Sequence, residues 1–380
     1  MKVIINRNKL LESIQHVTKA ISSKTAIPIL EGLKIDVTTN GITLTGSDSD
    51  ITIQSFIPVE EEGIQYIDEL EPGAIVAHAK YFPDVIRKLP SETVEITVDE
   101  NLLMTIKSGS AEFDLNGQTA EEYPHVAQIK SEVSFELPNE LIKTMIRQTV
   151  FAVSTSETRP ILTGVNIKAE NNYIQFIATD SHRLATSRIP VEKGLEEFPF
   201  EQVVVPGKSL NELNKILDDS EKKVEVSIAS NQIAFQTENL YVWSRLLDGR
   251  YPETSRLIPE ESKTTILVNK KNIQSAVDRA SLLAKDNHNN VIRLETSPNS
   301  KIEVSSNSPE IGKVEEEVTV ENIEGEELKI SFSSKYMLDA LKIMDSEQVK
   351  IEFTGAMRPF IIKPMDSDDI LQLILPVRTY

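Results

Sequence analysis

The residues best able to do chemistry stand side by side in Asp180-Ser181-His182-Arg183, which holds an acid, a hydroxyl and an imidazole. A hydrolytic triad needs those groups to converge from separate elements, with the base between hydroxyl and acid, and adjacent residues cannot make that geometry. A second candidate, Asp366-Ser367-Asp368-Asp369, has the carboxylates to hold a hard cation, but it reads far more readily as an acidic turn between two strands. Ser220-Glu221-Lys222-Lys223 spells Ser-x-x-Lys but lies in a charged turn without companion motifs. The five histidines, His16, His78, His125, His182 and His288, are too scattered for a His-Glu-x-x-His metal site, and there is no cysteine and no Gly-x-Gly. No catalytic residue, metal ligand or cofactor is assigned.

The elements that would have to position such groups are repeated. Ile27-Pro28-Ile29-Leu30-Glu31-Gly32 returns as Arg159-Pro160-Ile161-Leu162-Thr163-Gly164, and Ile57-Pro58-Val59 returns as Ile189-Pro190-Val191. Both are shifted by 132 residues, and Asp48 maps onto Asp180 at the same shift. A third, fainter copy is placed by Lys80, Lys208 and Lys335, which stand at equivalent joins between a β-rich run and an amphipathic stretch. Tyr123-Pro124 and Tyr251-Pro252 close the first two copies, and Leu375-Pro376 lies near the end of the third. We therefore expect three domains, 1–128, 129–256 and 257–380, each near the usual domain size and each with its own core.

Within each copy, alternating runs such as Thr93-Val94-Glu95-Ile96-Thr97-Val98 predict strands, and six windows carry apolar residues at helical spacing. The windows are 7–24, 80–88, 139–151, 208–217, 270–285 and 335–344, and the fold class is α+β. They hold 17 Lys and Arg against 6 Asp and Glu, a sum of +11 in a chain of formal charge −19, so everything else carries −30. Helices gathered on one side would make a basic face opposite an acidic one. Lysines with few aromatics contact phosphates rather than bases, which predicts salt-sensitive duplex binding without sequence reading. With no cysteine, no opening apolar run and no long apolar stretch, a soluble cytoplasmic protein is expected.

The three copies, the Pro-Ile-Leu-x-Gly segments, Thr179-Asp180-Ser181-His182-Arg183-Leu184, Asp248-Gly249-Arg250-Tyr251-Pro252 and the ending Leu373-Ile374-Leu375-Pro376-Val377-Arg378-Thr379-Tyr380 together resemble the bacterial DNA polymerase III beta subunit, the replicative sliding clamp, over the whole chain. The resemblance implies a head-to-tail homodimer closing as a ring, with helices lining the hole and antiparallel sheets outside. It further implies a non-catalytic processivity factor that encircles duplex DNA and acts at the nucleoid during replication. Any nucleotidyltransferase activity would belong to the polymerase assembly. The implied partners are the replicative polymerase alpha subunit, the clamp loader, and repair and translesion polymerases.

Carried over by position, a partner-peptide pocket would be lined by Leu162, Thr179, Ser181, His182, Arg183 and Leu184, with Pro252, Arg256, Leu257, Ile374, Leu375, Pro376, Val377 and Arg378. The implied dimer interface comprises Phe113 and Leu115 of the first copy with Leu282 and Leu283 of the third, where Leu283→Asp should yield monomers. Helix and loop positions nominate Lys9, Lys19, Lys24, Lys80, Arg87, Arg147, Arg159, Lys208, Lys215, Lys271, Arg279 and Lys342 as DNA-facing. The chain departs from the common pattern at Ser181, where many members have glycine, at Pro160 and Ile161, where some have aromatics, and in Thr379 and Tyr380 beyond Arg378. The rival readings are a hydrolase using His182 or a nuclease using Asp366 and Asp368, which lack convergent groups, and a scaffold without a DNA role, which leaves the charge split unexplained.

Overall fold

A computed structural model of the chain describes residues 1–125, 133–170, 173–190, 200, 202–219, 222–284, 290–297 and 299–378. Val191, Ser220, Glu221, His288, Thr379, Tyr380 and the expected 128/129 boundary lie outside the described residues.

The apolar spacing becomes six α-helices among the described residues: α1 (Arg7–Val17), α2 (Phe82–Lys88), α3 (Asn139–Thr149), α4 (Gly207–Ile216), α5 (Lys270–Ala284) and α6 (Ser334–Lys342). Asn6 starts α1 by accepting the backbone N–H groups of Asn8 and Lys9 at 3.0 and 3.1 Å. Asn269 does the same for Lys271 and Asn272 at the head of α5. Several windows overrun their helices, the first two instructively. The first stops at Val17 and passes through a 3₁₀ turn, Thr18–Ala20, because the Thr18 hydroxyl donates to the Ile14 carbonyl at 2.8 Å and the chain is extended by Ile21. The second begins at Phe82, with Pro83 in the first turn, so Lys80 and Tyr81 belong to the preceding turn.

The chain forms two compact units, Met1–Ile142 with Asn211–Leu246, and Lys143–Leu210 with Leu247–Tyr380. Each therefore joins half of the middle copy to one flanking copy, and the join is made by strand pairing. In the first unit an eight-stranded antiparallel sheet runs from Val133–Pro138 and Lys223–Ala229 of the middle copy to Gly32–Thr38 and Gly73–His78 of the first. The two copies meet where Leu240–Arg245 pairs with Ile51–Pro58. In the second unit a nine-stranded sheet does the same, with Arg183–Pro190 of the middle copy paired to Ile370–Ile374 of the third.

The two remaining main sheets belong to the outer copies alone. A five-stranded sheet in the first unit ends on Ala111–Asn116, and a four-stranded sheet in the second ends on Gly312–Thr319. Alternation buries one face of each strand, as in Thr93–Val98, where Val94 and Ile96 are 0% and 1% exposed. The helices cover the inner faces: α1 packs on Gly41–Ser47 and Ile51–Pro58 of the eight-stranded sheet, and α5 on the four-stranded sheet and on α6.

Candidate functional site

The duplication is visible in hydrogen bonds. Asp180 Oδ1 accepts the backbone N–H groups of His182 and Arg183 at 2.9 and 3.0 Å, and 132 residues earlier Asp48 Oδ1 accepts those of Asp50 and Ile51 at 3.1 and 2.9 Å. The Thr179 hydroxyl donates to the Arg183 carbonyl, and Ser47 donates to that of Ile51. The residue after each aspartate is left-handed, with φ of 77° at Ser181 and 80° at Ser49. A β-carbon is disfavoured there, which gives a physical reason for glycine at this position. We expect Ser181→Gly to stabilise the protein by about 0.5 kcal/mol, read as a rise in the urea midpoint at constant slope.

The closing tyrosines brace the same turns. The Tyr251 hydroxyl accepts the Thr179 N–H at 3.1 Å, and Tyr123 donates toward the Gly32 and Thr45 carbonyls, each 3.4 Å away. Burial pushes both phenols well above their usual pKa, so they stay neutral.

Asp180 Oδ1 is committed to the turn and Oδ2 accepts Arg183 Nε at 2.9 Å, so the carboxylate is taken up by the turn and by Arg183. The acidic run at 366–369 is a turn between Phe360–Pro364 and Ile370–Ile374, with Asp368 3.3 Å from Lys363 and Asp369 3.0 Å from Arg188. Among the described residues no group of three His, Asp or Glu side chains could hold a metal ion.

Around that turn lies an apolar cluster in which Leu162, Ile177, Leu184, Val204, Tyr251, Ile361, Leu371 and Leu373 are buried, with Ile161, Leu247 and Ile258 partly covered. Leu162 and Leu184, expected to line a pocket, are buried within this cluster. Nearby in sequence, Ser181, His182, Pro252, Arg256, Leu257, Leu375 and Arg378 are exposed, with Pro376 and Val377 half-buried. Leu257 is 50% and Leu375 37% exposed, so each leaves apolar surface uncovered. The Leu375 N–H donates to the His182 carbonyl at 3.0 Å, tying the chain end to the turn.

Two expected lining residues are placed differently. Ile374 is 1% exposed and belongs to the core of the third copy, because strand alternation sends Leu371 and Leu373 to the cluster with Leu162 and Leu184 and Ile374 to the other face. Arg183 is 8% exposed and turned inward: Nη1 donates to Asp339 at 2.8 Å and Nη2 to the Phe151 carbonyl at 2.6 Å, over the rings of Tyr336 and Phe151. Sequence reasoning missed Tyr336, Asp339, Phe151 and Ile361. Only the alternation of Phe360–Pro364 hinted at Ile361, and nothing in the spacing linked position 339 to 183.

Most of the nominated cations are exposed, whereas Lys9 and Lys19 are half-buried. Lys9 pairs with Glu61 at 3.1 Å, Arg87 with Asp84, Arg147 with Asp345 at 3.6 Å, Lys215 with Glu212 at 2.8 Å and Arg279 with Glu316 at 2.8 Å. Among the described residues Lys19, Lys24, Lys271 and Lys342 have no ion-pair partner, and Lys80 lies over the Tyr81 ring. Arg159 and Lys208 are exposed beside the 3₁₀ turn Pro160–Thr163 and in α4. Of the interface residues, Phe113 is 40% and Leu282 62% exposed, and Leu115 and Leu283 are half-buried.

Three copies of one α+β domain, joined through continuous sheets and carrying exposed cations and an apolar edge, define a tandem-domain binding protein. Residues 1–127, 136–253 and 255–378 match the N-terminal, central and C-terminal domains of the DNA polymerase III beta subunit. The chain belongs to that family. It is 53% identical to the Beta sliding clamp of Bacillus subtilis (strain 168) and 44% identical to that of Staphylococcus aureus, each over 100% of both chains. The crystal structure of the DNA polymerase sliding clamp from Bacillus subtilis superposes with a TM-score of 0.95 at 53% identity. That of the DNA polymerase III beta chain from Streptococcus pneumoniae gives 0.93 at 40%, and both comparisons cover 100% of both chains.

Proposed function

We propose that this chain is a sliding clamp: it encircles duplex DNA and tethers the replicative polymerase, conferring processivity while making and breaking no bond itself. The observation that carries this reading is that the chain has the fold of the clamp family from end to end, with helices that are net positive in a chain of formal charge −19. The ring is a head-to-tail homodimer. Ala111–Asn116 of one subunit lies beside Gly312–Thr319 of the other, so the two sheets that stop at an outer strand continue across the contact, as the repeats already do within each unit. An unpaired edge strand is a template for pairing, and Phe113 and Leu282 supply apolar surface next to it. The DNA-facing set contacts phosphates, which lets the ring slide.

The apolar edge around Leu162, Leu184, Leu257 and Leu375 receives short peptide segments with aliphatic and aromatic anchors. Such segments come from the polymerase alpha subunit, the clamp loader, and repair and translesion polymerases. The protein works in the cytoplasm at the nucleoid, and no helix of its described residues is long and apolar enough to cross a membrane.

The test is retention on a nicked circular plasmid after loading by the cognate clamp loader with ATP. We expect the protein to stay on the circle at a salt concentration that abolishes simple phosphate contacts, and to leave when a restriction enzyme linearises it. Equal loss from circle and linear DNA, with an active loader, would reject encirclement.

A further inference from the structure

Arg183 is held from three directions. Its Nε donates to Asp180 Oδ2 at 2.9 Å, Nη1 to Asp339 Oδ2 at 2.8 Å and Nη2 to the Phe151 carbonyl at 2.6 Å. The guanidinium carbon sits 4.5 Å from the centre of the Tyr336 ring and 5.2 Å from that of Phe151. Asp180 and Phe151 belong to the middle copy, whereas Asp339 and Tyr336 come from α6 of the third. The arginine thus links the rim turn to a helix on the other side of a sheet junction, and all of these groups lie in one compact unit.

We infer that Asp339 is a positioning residue for the docking edge: by drawing the Arg183 guanidinium inward it fixes the Thr179–Arg183 turn, so that a partner peptide meets an apolar wall rather than a cation. This rests on the docking reading given above. Asp180 carries the coupling, since one oxygen holds Arg183 and the other holds the His182 and Arg183 amides. From the turn it passes to Leu184 in the apolar cluster and, through the His182 carbonyl, to Leu375 at the exposed edge. Without the Asp339 charge, a guanidinium that is 8% exposed keeps a single carboxylate partner, and losing one member of a buried pair leaves the other to reorganise.

The experiment compares the full chain with Asp339→Asn, Asp339→Glu and Asp345→Asn, the last removing a carboxylate that pairs with the exposed Arg147 just beyond α6. Amide hydrogen exchange at Ser181, His182 and Arg183 is the first readout. We expect exchange at least about tenfold faster in Asp339→Asn, partly restored in Asp339→Glu and unchanged in Asp345→Asn. Strand Gln348–Phe353 is the internal reference. Equal acceleration there would make Asp339 a plain stability residue and overturn the proposal, as would unchanged protection of the turn.

The second readout is anisotropy of a fluorescein-labelled neutral hexapeptide with two leucines and a phenylalanine. Its affinity should fall about tenfold in Asp339→Asn and recover in part with glutamate. If the parent protein fails to bind the peptide, the docking reading falls, and the exchange data still decide whether Asp339 positions the turn.

Discussion

A Leu282→Asp variant is expected to sediment as a monomer under conditions where the parent sediments as a dimer. Leu282 lies on α5 with 62% of its surface exposed, so it contributes little to the core of its own copy. An apolar side chain so placed beside the terminal strand of a sheet is suited to a partner surface. A carboxylate there would be buried without a counter-charge at about 3 kcal/mol per contact. A two-subunit ring has two such contacts, so the dimer dissociation constant should rise on the order of 10⁴-fold. Leu283 is half-buried, and Leu283→Asp would mix loss of the dimer with damage to its own fold. Thermal unfolding separates the effects: the Leu282 variant should unfold as cooperatively as any other folded monomer. An unchanged dimer mass would refute the proposed interface.

The largest effect on stability is expected from Arg183→Ala. Its removal takes the guanidinium from Asp180 Oδ2, Asp339 Oδ2 and the Phe151 carbonyl, with Asp180 and Asp339 side chains only 14% and 25% exposed. We expect a loss of about 3–5 kcal/mol by urea denaturation. Arg188→Ala is the matched comparison. Arg188 also pairs with a carboxylate, Asp369 at 3.0 Å, and also lies over a ring, Tyr173, yet its side chain is 42% exposed. Water screens and replaces that pair, so its loss should cost about 0–1 kcal/mol. Equal losses in the two variants would mean that burial does not set the value of these pairs.

How much of this was legible beforehand depends on the range of each interaction. Helices were legible because their determinants are local: an asparagine cap before α1 and α5, a 3.6-residue apolar period and a proline in the first turn of α2. Their ends were less so. Thr18 turns α1 into a 3₁₀ turn through its hydroxyl, a choice that apolar spacing does not encode. The Asp48 and Asp180 turns were legible as a repeat, although their left-handed serines emerged only from backbone geometry.

By itself the sequence determined the triplication, the strand and helix periods and the positive balance of the helical windows in an acidic chain. Each follows from residues near one another in the chain or from composition. Tertiary structure alone decided that Ile374 joins the core of the third copy while Leu373 joins the cluster around Leu162 and Leu184. It also decided that Arg183 is drawn inward by Asp339, 156 residues away, and that the middle copy is shared between two units. Those outcomes depend on strand register and on side chains meeting across a sheet junction, which exist only once the chain has folded.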